Sequence, residues 1–262
     1  MVLPNTSKAF AKSLNLKSKN DVVDARMLAQ MGLERTLGAW QPASQNLRRL
    51  KRLTRERVAL QEQKTVAKNQ AHAYEFTHKP EKDIQKRSEK HIQFLEKQVK
   101  EVEQEIQKTI EADKTLTEKV DNICKIKGLG MVTVATIIAE TDGFALFKSK
   151  GQVVSFAGYD VIENTSGTSL NGATRISRKG NSHIRRALHF PALGAVKHEK
   201  LFAELFKRTF EKSLIKMKAY VAVQRKLLVL IYTLFKNNTP FDPHYQTKQT
   251  QTQKNRQELS PA

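Results

Sequence analysis

Apolar residues along this chain of 262 recur mostly at helical intervals, and their pattern changes character three times. At the start, Met1-Val2-Leu3-Pro4 reads as the end of a β-strand, and residues 7–14 as a short helix that Asn5 or Thr6 would cap. A single strand without a partner in a mostly helical remainder leaves its backbone groups unpaired, so residues 1–40 read as a remnant of a larger α/β unit. Residues 21–33 carry Val22, Ala25, Leu28, Ala29 and Leu33 at the spacing of one helix face.

After Trp40-Gln41-Pro42 the period lengthens. Leu47, Leu50 and Leu53 open a helix that continues as a weaker stripe through Ala67, Ala71 and Tyr74, until His78-Lys79-Pro80 interrupts it. The return stripe is denser: Ile92, Leu95, Val99, Val102 and Ile106, then Leu116 and Val120, step by threes and fours. Such spacing is a coiled-coil seam, and an antiparallel pair of helices of roughly 30 to 40 residues within residues 41–120 is its simplest folding. The first stripe is too weak to cover the second, so self-association to a dimer or tetramer through Ile92, Leu95, Val99, Val102 and Ile106 is expected. Residues 121–238 then read as a compact helical domain with helices at 132–140, 152–157, 182–196 and 214–235. Residues 239–262 turn to Gln, Thr, Lys and Pro and are expected to be disordered. The fold class is mainly α.

Charge narrows the function classes. Forty-six Lys and Arg against 26 Asp and Glu give a net charge of +20, which calls for a polyanionic partner. No apolar run approaches the roughly 20 residues of a membrane span, and no signal-peptide core opens the chain, so a membrane partner is not expected. Cys124 stands alone, which excludes an internal disulfide and fits a reducing cytoplasm. No two His lie at ligand spacing beside carboxylates, so a His-built metal site has no support.

Three constellations carry chemistry. From Ser166 to His198 there is no acid, while Arg175, Arg178, Lys179, Arg185, Arg186 and Lys197 fall inside and Gly167, Gly172 and Gly180 permit close backbone approach. Ser166 precedes a glycine in what reads as a polar loop, usually a turn position. Beside so many cations its hydroxyl becomes a candidate nucleophile, because attack on phosphorus needs the developing oxyanion charge neutralised. The run ICKIKGLGMVTVATIIAE has the form of a helix-hairpin-helix: Gly128 and Gly130 allow a tight turn with bare N–H groups at a helix start, and Lys125 and Lys127 flank it. Asp21 and Asp24, three apart, share a helix face on which two carboxylates can hold one divalent cation. By itself such a charged pair is normally a solvated face, here with Arg26 beside it.

The blocks SKNDVVDARMLAQMG and GYDVIENTSGTSLNGATRISRKGNSHIRRALHFPAL, with the long helical insert and G-L-G between them, resemble bacterial transposases of the insertion-sequence 110 family. The resemblance implies that Ser166 is the residue that attacks DNA and forms a covalent phosphoserine. It also implies that Asp21 and Asp24 are the last two acids of a DEDD set that holds Mg2+ in a Holliday-junction-resolvase-like (RuvC-like) domain. The first Asp and the Glu of that set have no counterpart here, so an N-terminally shortened transposase is expected, one that binds DNA but turns over poorly. DNA, in some members a guide RNA encoded by the element, a homo-oligomeric assembly and a place at the nucleoid in the cytoplasm follow from the same resemblance. Two rivals from other classes are a non-catalytic DNA- or RNA-binding helix-hairpin-helix protein and a coiled-coil interaction protein.

Overall fold

The computed structural model describes residues 4–37, 42–166 and 170–242, with the side chains of residues 4–5 and 163–174 outside the description. It divides into two compact units, Met1–Ala43 and Ser44–Ala262, each taken by itself below.

The first unit is a pair of helices, α1 (Pro4–Ser13) and α2 (Asp21–Glu34). Pro4 opens α1 at the position where a missing N–H costs nothing, so it is helical and not the end of a strand. Met1, Val2 and Leu3, where the strand was expected, lie outside the described residues. Asn20 caps α2, its side-chain oxygen accepting from the Val23 N–H at 2.8 Å. The buried stripe of α2 is Met27 and Met31, packed on Phe10 of α1, with the Arg35 guanidinium 5.2 Å from the Phe10 ring centroid. The face expected to be buried is the exposed one: Val22, Leu28 and Leu33 are 62%, 51% and 90% exposed. The helix is apolar on two sides, and α1 offers a single large side chain, enough to cover only the methionine stripe.

The second unit begins with the helical hairpin that the stripes predict, α3 (Gln45–Glu75) and α4 (Lys82–Glu111), on either side of Pro80. Ion pairs Arg49–Glu105, Arg57–Glu103 and Lys68–Glu96 rung the pair at 3.2, 2.6 and 2.8 Å, in the descending order of an antiparallel arrangement. Leu95, Val99, Val102 and Ile106 are buried inside this one chain. The seam is therefore covered without a second copy, and the argument for self-association through it falls away: buried Leu50, Leu53, Thr54 and Ala67 of α3 do what the stripe was judged too weak to do. The return stripe also breaks. Asp113 ends α4 and caps α5 (Lys114–Cys124), its carboxylate accepting from the Thr115 and Leu116 N–H groups, so Leu116 and Val120 belong to a new helix.

Beyond α5 come α6 (Met131–Glu140), α7 (Lys150–Ala157), a two-stranded antiparallel hairpin β1 (Val161–Ser166) and β2 (Leu170–Ile176), then α8 (Ser182–Ala187), α9 (His189–His198), α10 (Lys200–Ser213) and α11 (Lys216–Asn237). The helix expected over 182–196 is two, because Pro191 has no N–H for the Ala187 carbonyl and the chain breaks at Leu188. α6 is the axis of the core, buried at every position from Val134 to Glu140. Leu50 and Leu53 of α3 join the same apolar cluster as Val223, Leu227 and Ile231 of α11, so hairpin and helical domain fold as one unit and not as separate domains. Phe144 ties its end, with ring centroids 5.3 Å from Tyr232 and 5.4 Å from Phe235. Residues 239–242 are not loose, since the Phe241 N–H donates to the Asn122 carbonyl; residues 243–262 lie outside the described residues. No described helix is long and apolar enough to cross a membrane.

Candidate nucleic-acid interface

The R-K-G-N run is fixed by an unusually close crossing of two backbone segments. Gly158 ends α7 with φ +74°, in the left-handed region. A Cβ on Gly180 would lie 2.5 Å from the Gly158 nitrogen and 2.5 Å from the Phe156 carbonyl oxygen, so only glycine fits. The Asn181 N–H donates to that Phe156 oxygen at 2.7 Å, and the Arg178 N–H to the Gly158 oxygen at 3.2 Å. Arg178 itself sits at φ +54°, so the turn projects Arg178 and Lys179 from a constrained backbone.

Asn181 locks this turn to the core. Its side-chain oxygen caps α8, accepting from the His183 and Ile184 N–H groups, while its amide nitrogen donates to a Glu140 carboxylate oxygen at 2.7 Å. Glu140, with its side chain wholly buried, also receives Arg55 through two nitrogens at 2.7 and 3.0 Å and has Lys51 at 4.0 Å. Burial pushes the Glu140 carboxyl up, but the hydrogen bonds from Arg55 and Asn181 and the charges of Arg55 and Lys51 outweigh it and hold the group below the usual carboxylate range.

Five of the six cations in the acid-free run after the serine divide by what they do. Arg185 donates to the Ala157 carbonyl at 2.7 Å beneath the Gly158 turn, which makes it a strut of the backbone crossing. Arg186 pairs with Glu62 of α3. Arg175, opposite Ile162 at the base of the hairpin, with Arg178 and Lys179, is exposed, and these three form no ion pair among the described residues. Ser166 closes β1 opposite Leu170, at the far end of the hairpin from Val161, and its side chain lies outside the described set. The polar loop expected around it is thus a strand end. Its first side, with Val161 and Ile162 before a bulge, and its return to Ile176 carry β-formers among many Asn, Thr and Gly.

The helix-hairpin-helix is α5, the G-L-G turn and α6, and its two glycines do different work. Gly128, at φ +96°, would place a Cβ 2.8 Å from the Ala195 nitrogen and 3.2 Å from the Gly194 Cα, so it serves the packing of the turn on α9. Gly130 precedes α6 with open space at its Cβ position and no side chain capping the helix, the arrangement the phosphate-binding expectation requires. Lys127 is exposed, and Lys125 donates to Asn122 at 3.2 Å.

Two family profiles match this chain: one, described as Transposase IS116/IS110/IS902 family, over residues 120–207, the other, described as Transposase, over residues 1–74. Together they span more than half of it. The chain belongs to this transposase family. Among curated proteins it is similar to the "Pilin gene-inverting protein" of Moraxella bovis and to that of Moraxella lacunata, each 26% identical over 243 residues, which is 92% of this chain and 74% of the relative.

In this transposase the turn, the serine hairpin, the cations and the helix-hairpin-helix all fall inside the segment 120–207, and Asp21 and Asp24 inside 1–74. The two acids occupy the first turn of α2 in the first unit, exposed or half-exposed, and they make no ion pair among the described residues. As a donor set they fit magnesium, which takes one or two carboxylates and fills its other positions with water and substrate phosphate. No group of three metal-binding side chains occurs among the described residues, so they do not amount to a closed cage, and carboxylates at the positive end of a helix are also stable with no metal at all. Sequence reasoning missed Glu140 and Asn181. The signal for the first was present, an acid ending the apolar run ATIIAE, since a carboxylate on a buried helix must find partners.

Proposed function

We propose that this transposase cuts and rejoins DNA strands with the Ser166 hydroxyl as nucleophile. In the forward step the serine oxygen attacks phosphorus, the phosphodiester bond to one deoxyribose breaks, the serine proton leaves and the released deoxyribose hydroxyl takes one up. A deoxyribose hydroxyl then attacks the phosphoserine and loses its proton, the bond from phosphorus to the serine oxygen breaks, that oxygen takes up a proton and the strand is rejoined, so one phosphodiester is exchanged for another without loss of bond energy. Arg178 and Lys179, on a turn at the hairpin base that Gly180, Asn181 and Glu140 hold still, bind backbone phosphates of the same DNA away from the reacting one. Lys127 and the open start of α6 grip a neighbouring backbone phosphate. Asp21 and Asp24 would hold Mg2+, which would supply Lewis-acid polarisation of a phosphate bound beside them. The Moraxella relatives are named for inverting a gene, and a rearrangement of the same class is the reaction assigned to this chain.

The observation that carries this reading is the buried Glu140–Asn181 lock under an exposed pair of unpaired cations, in the same segment as the serine hairpin. A binding-only protein is the second reading, favoured by the lack of any three-donor cluster among the described residues. A strand-joining assay with labelled DNA and Mg2+ separates the two. Joined product that Ser166→Ala removes while DNA affinity stays within about twofold supports the nucleophile, because one hydroxyl adds little to affinity but is indispensable to chemistry. Unchanged joining by Ser166→Ala removes it, and bound but never joined DNA leaves the binding-only reading.

A further inference from the structure

A groove of about 790 Å³ opens between α7, the base of the β-hairpin, α10 and α11. Six cations line it, Lys150, Arg175, Arg178, Lys218, Arg225 and Lys226, and no carboxylate does. All six are exposed, and none forms an ion pair with a described carboxylate. The floor between them is apolar, drawn from Val154, Val161, Ile176, Met217, Val221 and Val229. Tyr159 stiffens it from beneath, buried with its hydroxyl donating to Gln224 at 2.9 Å. Three of the cations, Lys218, Arg225 and Lys226, stand on α11, beyond the segment 120–207, and take no part in the strand chemistry above.

The arrangement specifies the occupant. Along α11 the stripe Lys218, Val221, Arg225, Val229 alternates cation and apolar residue at turn spacing, so the two cationic residues stand about 10 Å apart along the helix and can hold separate phosphates of one strand. Arg175 and Arg178 face them from the hairpin side, so the positive charge lies on both walls with the apolar surface between. A double helix keeps its base faces stacked inside and offers that floor only backbone and base edges. An unpaired strand has both parts: a backbone for the cations and base faces that leave water for apolar side chains. Val161, in the groove wall, begins the strand that ends at Ser166, about 17 Å further along, a distance that a few nucleotides of one extended DNA strand span.

We propose that this groove binds an unpaired stretch of the DNA strand next to the phosphate that reacts at the hairpin tip. The choice of DNA rests on the recombinase reading; the choice of an unpaired strand rests on the groove alone. The test compares a labelled oligothymidylate with a duplex of equal length by fluorescence polarisation, using the full chain, Arg225→Glu and Met217→Ser. Both altered residues are exposed, so both variants should keep the wild-type melting curve. Arg225→Glu should weaken oligothymidylate about tenfold and lower its salt slope, with the duplex changed by less than about threefold. Met217→Ser should weaken oligothymidylate about threefold with the salt slope unchanged, because it removes apolar contact and no charge. Photo-cross-linking of an iododeoxyuridine-containing oligonucleotide should label the first turns of α11 or the β1 base. A duplex bound in preference to oligothymidylate, with both variants affecting the two alike, would overturn the groove assignment and leave the serine chemistry standing. Failure to bind DNA of either kind would sink both. Oligouridylate cross-linked in the groove where oligothymidylate is not, or polyglutamate competing as well as oligothymidylate, would overturn the assignment to DNA.

Discussion

The two compact units differ in how much of their own sequence they satisfy. Ser44–Ala262 closes an apolar cluster running from Leu50 to Phe235 and pairs its buried carboxylate, Glu140, with three partners. Met1–Ala43 buries Phe10, Met27 and Met31 and leaves Val22, Leu28 and Leu33 exposed on the helix that carries Asp21 and Asp24. The cations of the larger unit are aimed by tertiary structure, whereas Asp21 and Asp24 are aimed only by the first turn of α2. The same contrast separates the chemistry proposed for each: a preorganised anion surface on one unit, and on the other two carboxylates proposed to hold Mg2+.

Core truncation should expose the contrast most strongly. Ile106→Ala, at a fully buried seam position, should cost about 2–5 kcal/mol and lower the main thermal transition, whereas Met31→Ala should leave that transition where it is. A single transition shifted equally by both would show the units to be one. Because the seam is internal, Leu95→Lys with Val102→Lys should unfold the chain; a well-folded variant that changes only its sedimentation would return the seam to an oligomer interface. Gly180→Ala forces a Cβ onto backbone atoms 2.5 Å away and should cost about 1–3 kcal/mol, with DNA affinity falling as the Arg178 turn shifts.

Glu140→Gln should cost about 1–3 kcal/mol, since the Asn181 amide and Arg55 lose a charged acceptor. The native Glu140 pKa lies below its ordinary 4.5, so its contribution is fully present above that pH and is lost as the pH falls through the lower native value. A urea titration series from neutral to acid pH should therefore show less acid destabilisation in Glu140→Gln than in wild type, and equal acid sensitivity would show that the carboxylate stabilises nothing. The smallest effect is expected at Leu28→Ser, on the bare stripe, within about 0.5 kcal/mol in either direction. A large loss there would mean that the stripe is covered in solution.

Much of this was legible in the sequence, for reasons that differ by element. The α3–α4 hairpin was readable because Leu95, Val99, Val102 and Ile106 repeat at coiled-coil spacing and Pro80 marks the reversal. Which surface covers that repeat was not, since a weak stripe in α3 becomes sufficient once Thr54 and Ala67 let the helices close. The buried side of α2 was misread because Val22, Leu28 and Leu33 and the pair Met27, Met31 are both valid helical stripes, and only the partner helix selects between them. The β-hairpin hid behind Asn, Thr and Gly. At the candidate site, Arg178, Lys179 and Gly180 stood out as a basic glycine turn, but the inward role of Arg185 and the pairing of Arg186 with Glu62 depend on contacts 28 and 124 residues apart, which no local pattern encodes.

The serine assignment is tested most directly by trapping the covalent step. The 262-residue chain, Mg2+ and a DNA substrate with a strand break placed so that the leaving end diffuses away should give a protein–DNA adduct on a denaturing gel, from a single turnover. The expected result is an adduct whose DNA-bearing peptide maps to Ser166 by mass spectrometry, absent from Ser166→Ala and reduced in Arg178→Glu. An adduct mapped to another residue, DNA cut by Ser166→Ala, or DNA bound under these conditions with no adduct at all would contradict it.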